Sequence, residues 1–155
     1  MTDKIKKMTD SHLAVEEAME SIIAVVRQIR DTDRIDNDLR EELRRHTEEF
    51  VAALGDHVVM GHEQVGDLSE RIFGEKPREV EALDEQSEKL LAEARRLETG
   101  VEALEVGEPR EVPAWNEFEE HLRQAMQTLE SCGEQEWKFY SHYGTILFPG
   151  GAASE

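Results

Sequence analysis

Cysteine and basic residues are scarce in this chain of 155 residues, and each scarcity excludes a class of protein. Cys132 is the only cysteine, which excludes an internal disulfide and any Cys-rich zinc or iron–sulfur site within one chain. Any bound metal must therefore be held by His and carboxylate side chains. Lys and Arg number 18 against 36 Asp and Glu, and the resulting net charge of −18 repels nucleic-acid phosphates and anionic lipid. We expect no nucleic-acid partner and no role at a membrane surface.

Long hydrophobic runs are also missing. Runs such as residues 22–26 and 58–60 fall far short of the roughly 20 residues that cross a bilayer. Three lysines near the amino terminus precede an acidic segment, without the apolar run of a signal peptide. We expect a soluble, cytoplasmic protein.

Proline and glycine are few and bunched, which predicts long helices with short connections. Apolar residues recur at helical spacing over residues 5–29, about 38–72, about 79–104 and about 114–146. Residues 31–38 and the Pro and Gly residues near positions 74–77 and 107–113 form the predicted connections. The first helix carries a heptad seam with one polar member, His12; the seam comprises Ile5, Met8, His12, Val15, Met19, Ile22, Val26 and Ile29.

An offset of 75 residues superimposes the second half of the chain on the first. The matching pairs include Met8 and Leu83, Val15 and Leu90, Ile22 and Leu97, Val26 and Val101, Leu43 and Phe118, His46 and His121, Leu54 and Leu129, and Phe73 and Phe148. The sequence thus predicts an all-α fold, an up-down-up-down four-helix bundle built from two related helical hairpins. The bundle occupies residues 1–149, and residues 150–155 form a short disordered tail.

A few polar side chains fall on the faces that the periodicity turns inward. Glu136 lies in the middle of the apolar stripe of the fourth helix, where an isolated charge is costly unless donors or a cation meet it. His12 lies on the seam of the first helix, and His57 and His62 flank the stripe of the second. The rise of about 1.5 Å per residue gives the height of each side chain along its helix. These heights place the groups at one level, near the end of the bundle that holds the amino terminus, so one cavity is predicted between them. Its predicted border is His12, His57, His62, Gln86, Cys132 and Glu136.

Imidazole and carboxylate groups that converge in a bundle core are typical of iron and manganese sites. We therefore predict a metal site made by His12, Glu136 and one of His57 and His62. The alternative is a set of core residues that hydrogen-bond one another without metal. Cys132 is most simply a small buried residue, with the role of ligand or redox thiol as its alternative. The aromatic group near the carboxyl terminus, including Trp137 and Tyr140, is interpreted as core and cap packing.

These residues resemble the hemerythrin-like family, also called the HHE cation-binding domain, over nearly the whole chain. The resemblance rests on Asp10-Ser11-His12 in the first helix and on the ending Ile146-Leu147-Phe148-Pro149, with a weaker echo at Arg71-Ile72-Phe73-Gly74. Three positions depart from the family pattern. Cys132 stands where His is expected, Gly61 occupies a carboxylate position, and Glu85-Gln86 lacks the imidazole of the family's Glu-His pair. Members with the full ligand set hold a bridged di-iron centre that binds oxygen or takes part in iron, nitric-oxide or redox sensing.

The resemblance implies a non-haem metal-binding bundle with one or two iron ions, a small diatomic ligand, and a role in binding or sensing. Its metal ligands would be His12, His57, His62 and Glu136. No nucleophile paired with a base, phosphate loop or dinucleotide fingerprint is present, so the sequence does not indicate an ordinary enzyme. The alternative function is a metal-free interaction module with an acidic surface. A protein partner and a homodimer are both compatible with the heptad seams.

Overall fold

A computed structural model describes residues 3–147, which are helical almost throughout. The elements are α1 (Asp3–Thr32), α2 (Asn37–Gly61), a π-helical turn (His62–Gly66), α3 (Asp67–Phe73), α4 (Arg78–Glu102), a 3₁₀ turn (Pro109–Glu111) and α5 (Pro113–Leu147). Because α2, the π-helical turn and α3 follow one another without a break, the chain forms four long helical segments. This arrangement is consistent with a helical bundle and confirms the predicted all-α class and the three predicted connections.

Local signals in the sequence explain where the helices begin and end. The Asp36 carboxylate accepts a hydrogen bond of 2.7 Å from the Leu39 amide, which caps α2. Gly74 ends α3 in the left-handed region at φ 79°, and its amide bonds to the Glu70 carbonyl. Pro77 immediately precedes α4, and Pro113 is the first residue of α5.

The core follows the predicted stripes. Helix α1 packs along α2, α4 packs along α5, and α2 also packs along α4. The largest fully buried side chains come from every long helical segment; they include Ile22, Ile29, Leu43, Phe50, Leu54, Leu90, Leu97 and Phe118. A smaller cluster of Met8, Val65, Val80, Phe139 and Leu147 fills the end that holds the amino terminus. Burial of these apolar surfaces is the main stabilising term, at about 25 cal/mol per Å².

The connections at the opposite end of the bundle are joined to each other. Ile35, between α1 and α2, and Gly107, between α4 and α5, exchange two backbone hydrogen bonds of 2.7 and 2.9 Å. Arg40 Nη1 also donates to the Leu104 carbonyl at 3.2 Å. Within residues 3–147 this pair is the only β-type bridge, and it ties the two connecting segments together.

The π-helical turn changes the register of the second segment. The Asp67 amide bonds to the His62 carbonyl, five residues back, so one extra residue enters the turn. Later side chains therefore lie about 100° from the positions that an uninterrupted helix assigns. Ser69 is buried as a result, and Ile72, which the sequence placed on the apolar stripe, is 44% exposed.

The structure overturns one further interpretation, and some other expectations concern residues that it does not describe. Trp137 was interpreted as packing with its aromatic neighbours, but its side chain is 72% exposed. It lies on the outer face of α5, whereas Phe139 is buried. The predicted tail at residues 150–155, the match of Phe73 with Phe148 and the end of the Leu-Phe-Pro motif lie outside the described residues, as does the Ile5 side chain. No helix in the described part of the chain is both long and apolar enough to span a bilayer.

Candidate metal centre

Three of the predicted ligands meet in the half of the bundle nearer the amino terminus. His12 on α1, His57 on α2 and Glu136 on α5 each offer one ligand atom, and these atoms lie within 4.8 Å of one another. The Glu136 carboxylate sits between the two rings. His12 Nδ1 is 2.9 Å from Glu136 Oε2, and His57 Nε2 is 2.5 Å from Glu136 Oε1. The rings themselves pack edge to face at 5.4 Å between centroids.

The second nitrogen of each imidazole is held by a partner on α1. His12 Nε2 lies 2.7 Å from Glu16 Oε1, one turn along the same helix, and His57 Nδ1 lies 2.9 Å from Ser11 Oγ. Such partners fix the orientation and tautomer of a metal-binding imidazole. With metal on the nitrogens that face Glu136, His12 would donate to Glu16 and His57 would donate to Ser11. The donor set is therefore supported by a second layer of hydrogen bonds.

The charges of the cluster favour an ionised Glu136. Burial alone would raise the pKa of this carboxyl, but hydrogen bonds and charge from His12 and His57 outweigh burial and lower the pKa to about 2. The hydrogen bond to Glu136 raises the pKa of His12, against the opposing effect of burial, and the charges of Glu136 and Glu16 add to the rise. In the metal-free protein the two rings therefore stabilise an anionic Glu136 carboxylate, and this carboxylate favours the protonated form of His12.

Two spaces border the cluster on different sides. A small cavity of about 20 Å³ touches His57 and Glu136, and its other walls are mostly apolar; they include Met8, Val58, Val65, Val80, Leu83 and Tyr140. This volume holds one water-sized molecule. On the other side, a groove of about 540 Å³ between α1 and α5 reaches His12 beside Gly133. A Cβ atom at position 133 would lie 3.2 Å from His12 Nε2, so a glycine here gives the ring its room.

Of the remaining predicted border residues, His62 and Gln86 lie away from the cluster, and Cys132 lies near Glu136 but is not one of the three clustered ligands. His62 is 40% exposed, and its Nδ1 is 3.6 Å from Asp84 Oδ1, away from the cluster. Gln86 lines a separate polar groove between α4 and α5. Cys132 is buried as expected, but burial and the charges of Glu136 and Glu93 raise the pKa of its thiol to about 12. A thiol that stays protonated is a poor metal ligand, because the thiolate is the form that binds metal.

Sequence reasoning did not single out Ser11 and Glu16 as partners of the two imidazoles. Glu16 carried a usable signal, since residues four apart on a helix face each other and Glu16 follows His12 at that spacing. Ser11 precedes His12 directly, and only the packing of α1 on α2 brings it to His57. Tyr140, which was interpreted as core and cap packing, borders the small cavity beside His57 and Glu136. Burial, followed by the charge of Glu136, raises the pKa of its phenol.

Glu93 on α4 is a second inward carboxylate, and it is 4% exposed. Thr128 on α5 donates to Glu93 Oε1 at 3.0 Å, while Glu93 Oε2 has no hydrogen-bond partner among the described residues. Its carboxylate affects Cys132 but does not belong to the three-residue cluster. Among the described residues, the structure therefore brings together one group of three side chains that could hold a metal ion.

Comparison of the chain with protein-family models, with curated proteins and with solved structures found no match.

Proposed function

We propose that this protein is a non-haem metal-binding bundle whose His12, His57 and Glu136 side chains hold one divalent transition-metal ion. The observation that carries the proposal is the orientation of the two imidazoles. Each turns one nitrogen toward Glu136 and has its other nitrogen held by a partner on α1. Partners on both nitrogens fix the orientation of each ring, so that the donor atoms of the three side chains face one point.

The donor set favours iron. Two imidazoles and one carboxylate with room for further ligands are the arrangement found in many non-haem ferrous sites. When bound, the ion would supply a redox-active Lewis acid inside the bundle. The resemblance to the hemerythrin-like family supports the same metal, although the three clustered ligands of this chain favour a single ion over a di-iron centre.

The role that we propose is binding or sensing of iron, oxygen or another redox-active molecule. The small cavity beside His57 and Glu136 supports a small ligand, because about 20 Å³ is room for one molecule of about the size of water. Its mostly apolar walls suit a diatomic gas.

Metal analysis of the untagged protein tests the proposal. After anaerobic reconstitution with ferrous iron, elemental analysis is expected to find one iron per chain, and Glu136→Gln is expected to lose that iron while keeping its helical circular-dichroism signal. His62→Ala is the matched control, because His62 was a predicted ligand and lies outside the cluster. Equal iron content in the wild type and Glu136→Gln would contradict the proposal. A metal-free wild type would favour the interaction module.

We also propose that the two hairpins are copies of one ancestral hairpin related by the 75-residue offset. The pairing of α1 with α2 and of α4 with α5 supports this relationship. The bridge between Ile35 and Gly107 adds support, since it joins the connection of one hairpin to the corresponding connection of the other.

A further inference from the structure

The groove between α1 and α5 has an apolar floor. Met19 and Leu129 are buried at its base, Ile23 is partly buried, and Met126 is 40% exposed. Trp137 stands at the end nearer His12 and is the most exposed large hydrophobic residue among the described residues. An exposed tryptophan beside a continuous apolar floor is typical of a contact surface, because such residues dominate binding energies.

The rim of the groove is acidic on both sides. Glu16 and Glu20 border it on α1, and Glu130 and Glu134 border it on α5. None of the described residues that line the groove is Lys or Arg. The two helices therefore present two rows of carboxylates with apolar side chains between them.

The length of the groove matches a helix of three turns. Lining residues extend from residue 12 to residue 23 on α1 and from residue 126 to residue 137 on α5, which is 11 steps along each helix. At 1.5 Å per residue this distance is about 16 Å, or three helical turns. A helix whose apolar residues recur at spacings of three and four can lay its apolar face in a groove of this kind.

We propose that the α1–α5 groove is the docking site for a basic amphipathic helix of a partner protein, with apolar residues on the floor and Lys or Arg side chains paired with the two rows of carboxylates. The charges identify this occupant over a second copy of the chain. A second copy also carries a net charge of −18 and would bring carboxylates against carboxylates. This proposal does not rest on the metal function, since it uses the groove alone.

The test uses a labelled synthetic peptide of 18 leucine and lysine residues, patterned as an amphipathic helix, with the metal-free full-length protein. Fluorescence anisotropy is expected to show saturable binding that weakens as salt rises. A peptide of the same composition in scrambled order is expected to bind at least tenfold more weakly. Trp137→Ala, which removes an exposed side chain, is expected to weaken binding of the patterned peptide about tenfold or more.

Matched charge variants separate the groove from the general acidity of the chain. Glu130→Gln/Glu134→Gln is expected to weaken binding several-fold, whereas Glu42→Gln/Glu48→Gln, which removes two exposed carboxylates from α2, is expected to leave it unchanged. Equal weakening by both pairs, or equal binding of the scrambled peptide, would overturn the proposal. Sedimentation that shows a dimer of the free wild type, dissociated by Trp137→Ala, would also overturn it and identify a second copy as the occupant. Loss of iron binding in Glu136→Gln is a separate result that bears only on the metal function.

Discussion

At the scale of single residues, Cys132 combines burial with two nearby carboxylates. Burial, followed by the charges of Glu136 and Glu93, raises the pKa of its thiol to about 12. At pH 8 only about one molecule in 10,000 would then carry the reactive thiolate in the folded state. We predict that iodoacetamide labels native Cys132 at least 100-fold more slowly than the urea-unfolded chain, as measured by mass spectrometry. Rapid labelling without urea would show that the thiol is accessible and ionised.

The contact between His12 and Glu136 predicts that the unfolding free energy of the metal-free protein depends on pH. The pKa of Glu136 falls from an ordinary 4.5 to about 2 on folding, so its stabilisation is fully present above about pH 4.5 and is lost as pH falls toward 2. This lowering corresponds to about 3 kcal/mol of unfolding free energy. The pKa of His12 is raised from 6.5, so its contribution is present below that value and is lost as pH rises through the raised pKa.

Urea unfolding between pH 7 and pH 3 measures the acid side of this dependence. Glu136→Gln is expected to flatten it, because the glutamine has no proton to bind. A matched exposed change, Glu42→Gln, is expected to keep the wild-type slope. A wild-type slope in Glu136→Gln would mean that other carboxylates determine the acid sensitivity.

The sequence identified His12 and Glu136 as candidate site residues because both lie on apolar stripes. A polar side chain at such a position requires a hydrogen-bond partner or a bound ion. It did not decide between His57 and His62. These residues flank the same stripe, and the choice depends on how α2 rotates against α1 and α5. In the structure His57 is 5% exposed and faces Glu136, whereas His62 begins the π-helical turn and faces Asp84, so His57 is the one that lies in the cluster.

At the scale of elements, the four helical segments and their connections followed from periodicity, caps, glycine and proline. The π-helical turn did not follow from these signals. The predicted stripe assumes 3.6 residues per turn throughout, and no residue type in the sequence marks the point where an extra residue enters a turn. Its effect falls on the residues that follow, where Ser69 is buried and Ile72 is 44% exposed. The turn begins five residues after His57, so it leaves the cluster itself within regular helix.

Two helical glycines give a matched pair of substitutions. A Cβ at Gly55 on α2 would meet no atom within 4 Å, whereas a Cβ at Gly133 on α5 would lie 3.2 Å from His12 Nε2. We predict that Gly55→Ala raises the unfolding free energy by about 0.5–1 kcal/mol, because alanine loses less conformational freedom in a helix. Gly133→Ala is expected to gain less or to lose stability, and to weaken iron binding by displacing the His12 ring.

Thermal unfolding and iron titration of both variants measure these effects. Because the backbone change is the same, the difference between the two variants isolates the contact with His12. Identical iron affinity in Gly133→Ala and Gly55→Ala would show that the ring has room to move without loss of the site.

At the scale of the whole molecule, the net charge of −18 opposes the compact state through self-repulsion. Salt screens this repulsion, since the Debye length falls from roughly 30 Å at 0.01 M to roughly 3 Å at 1 M. We predict that the midpoint of thermal unfolding rises by several degrees between these concentrations. The rise is expected to be equal in NaCl and KCl, because screening depends on ionic strength. A midpoint that falls with salt would mean that ion pairs such as Arg30–Glu119 outweigh the repulsion.

The overall arrangement was the most predictable property, because four apolar stripes separated by short connections leave few ways to bury all of them. The separation of neighbouring helices was not predictable in the same way. Helices α1 and α2 pack closely, but α1 and α5 leave a groove, since glutamates and a glycine border that seam and Trp137 projects outward.

Chain connectivity distinguishes this seam from the other three. Residues 33–36 join α1 to α2, residues 74–77 join α3 to α4, and residues 103–112 join α4 to α5, while the Ile35–Gly107 bridge fastens the first and last of these connections. Within the described chain, no connection runs between α1 and α5. An outward swing of α1 away from α5 near His12 would therefore stretch no connecting segment, with the bridged end acting as the hinge. Opening this seam would instead break side-chain contacts between the two helices, such as the hydrogen bond of 2.9 Å between His12 Nδ1 and Glu136 Oε2.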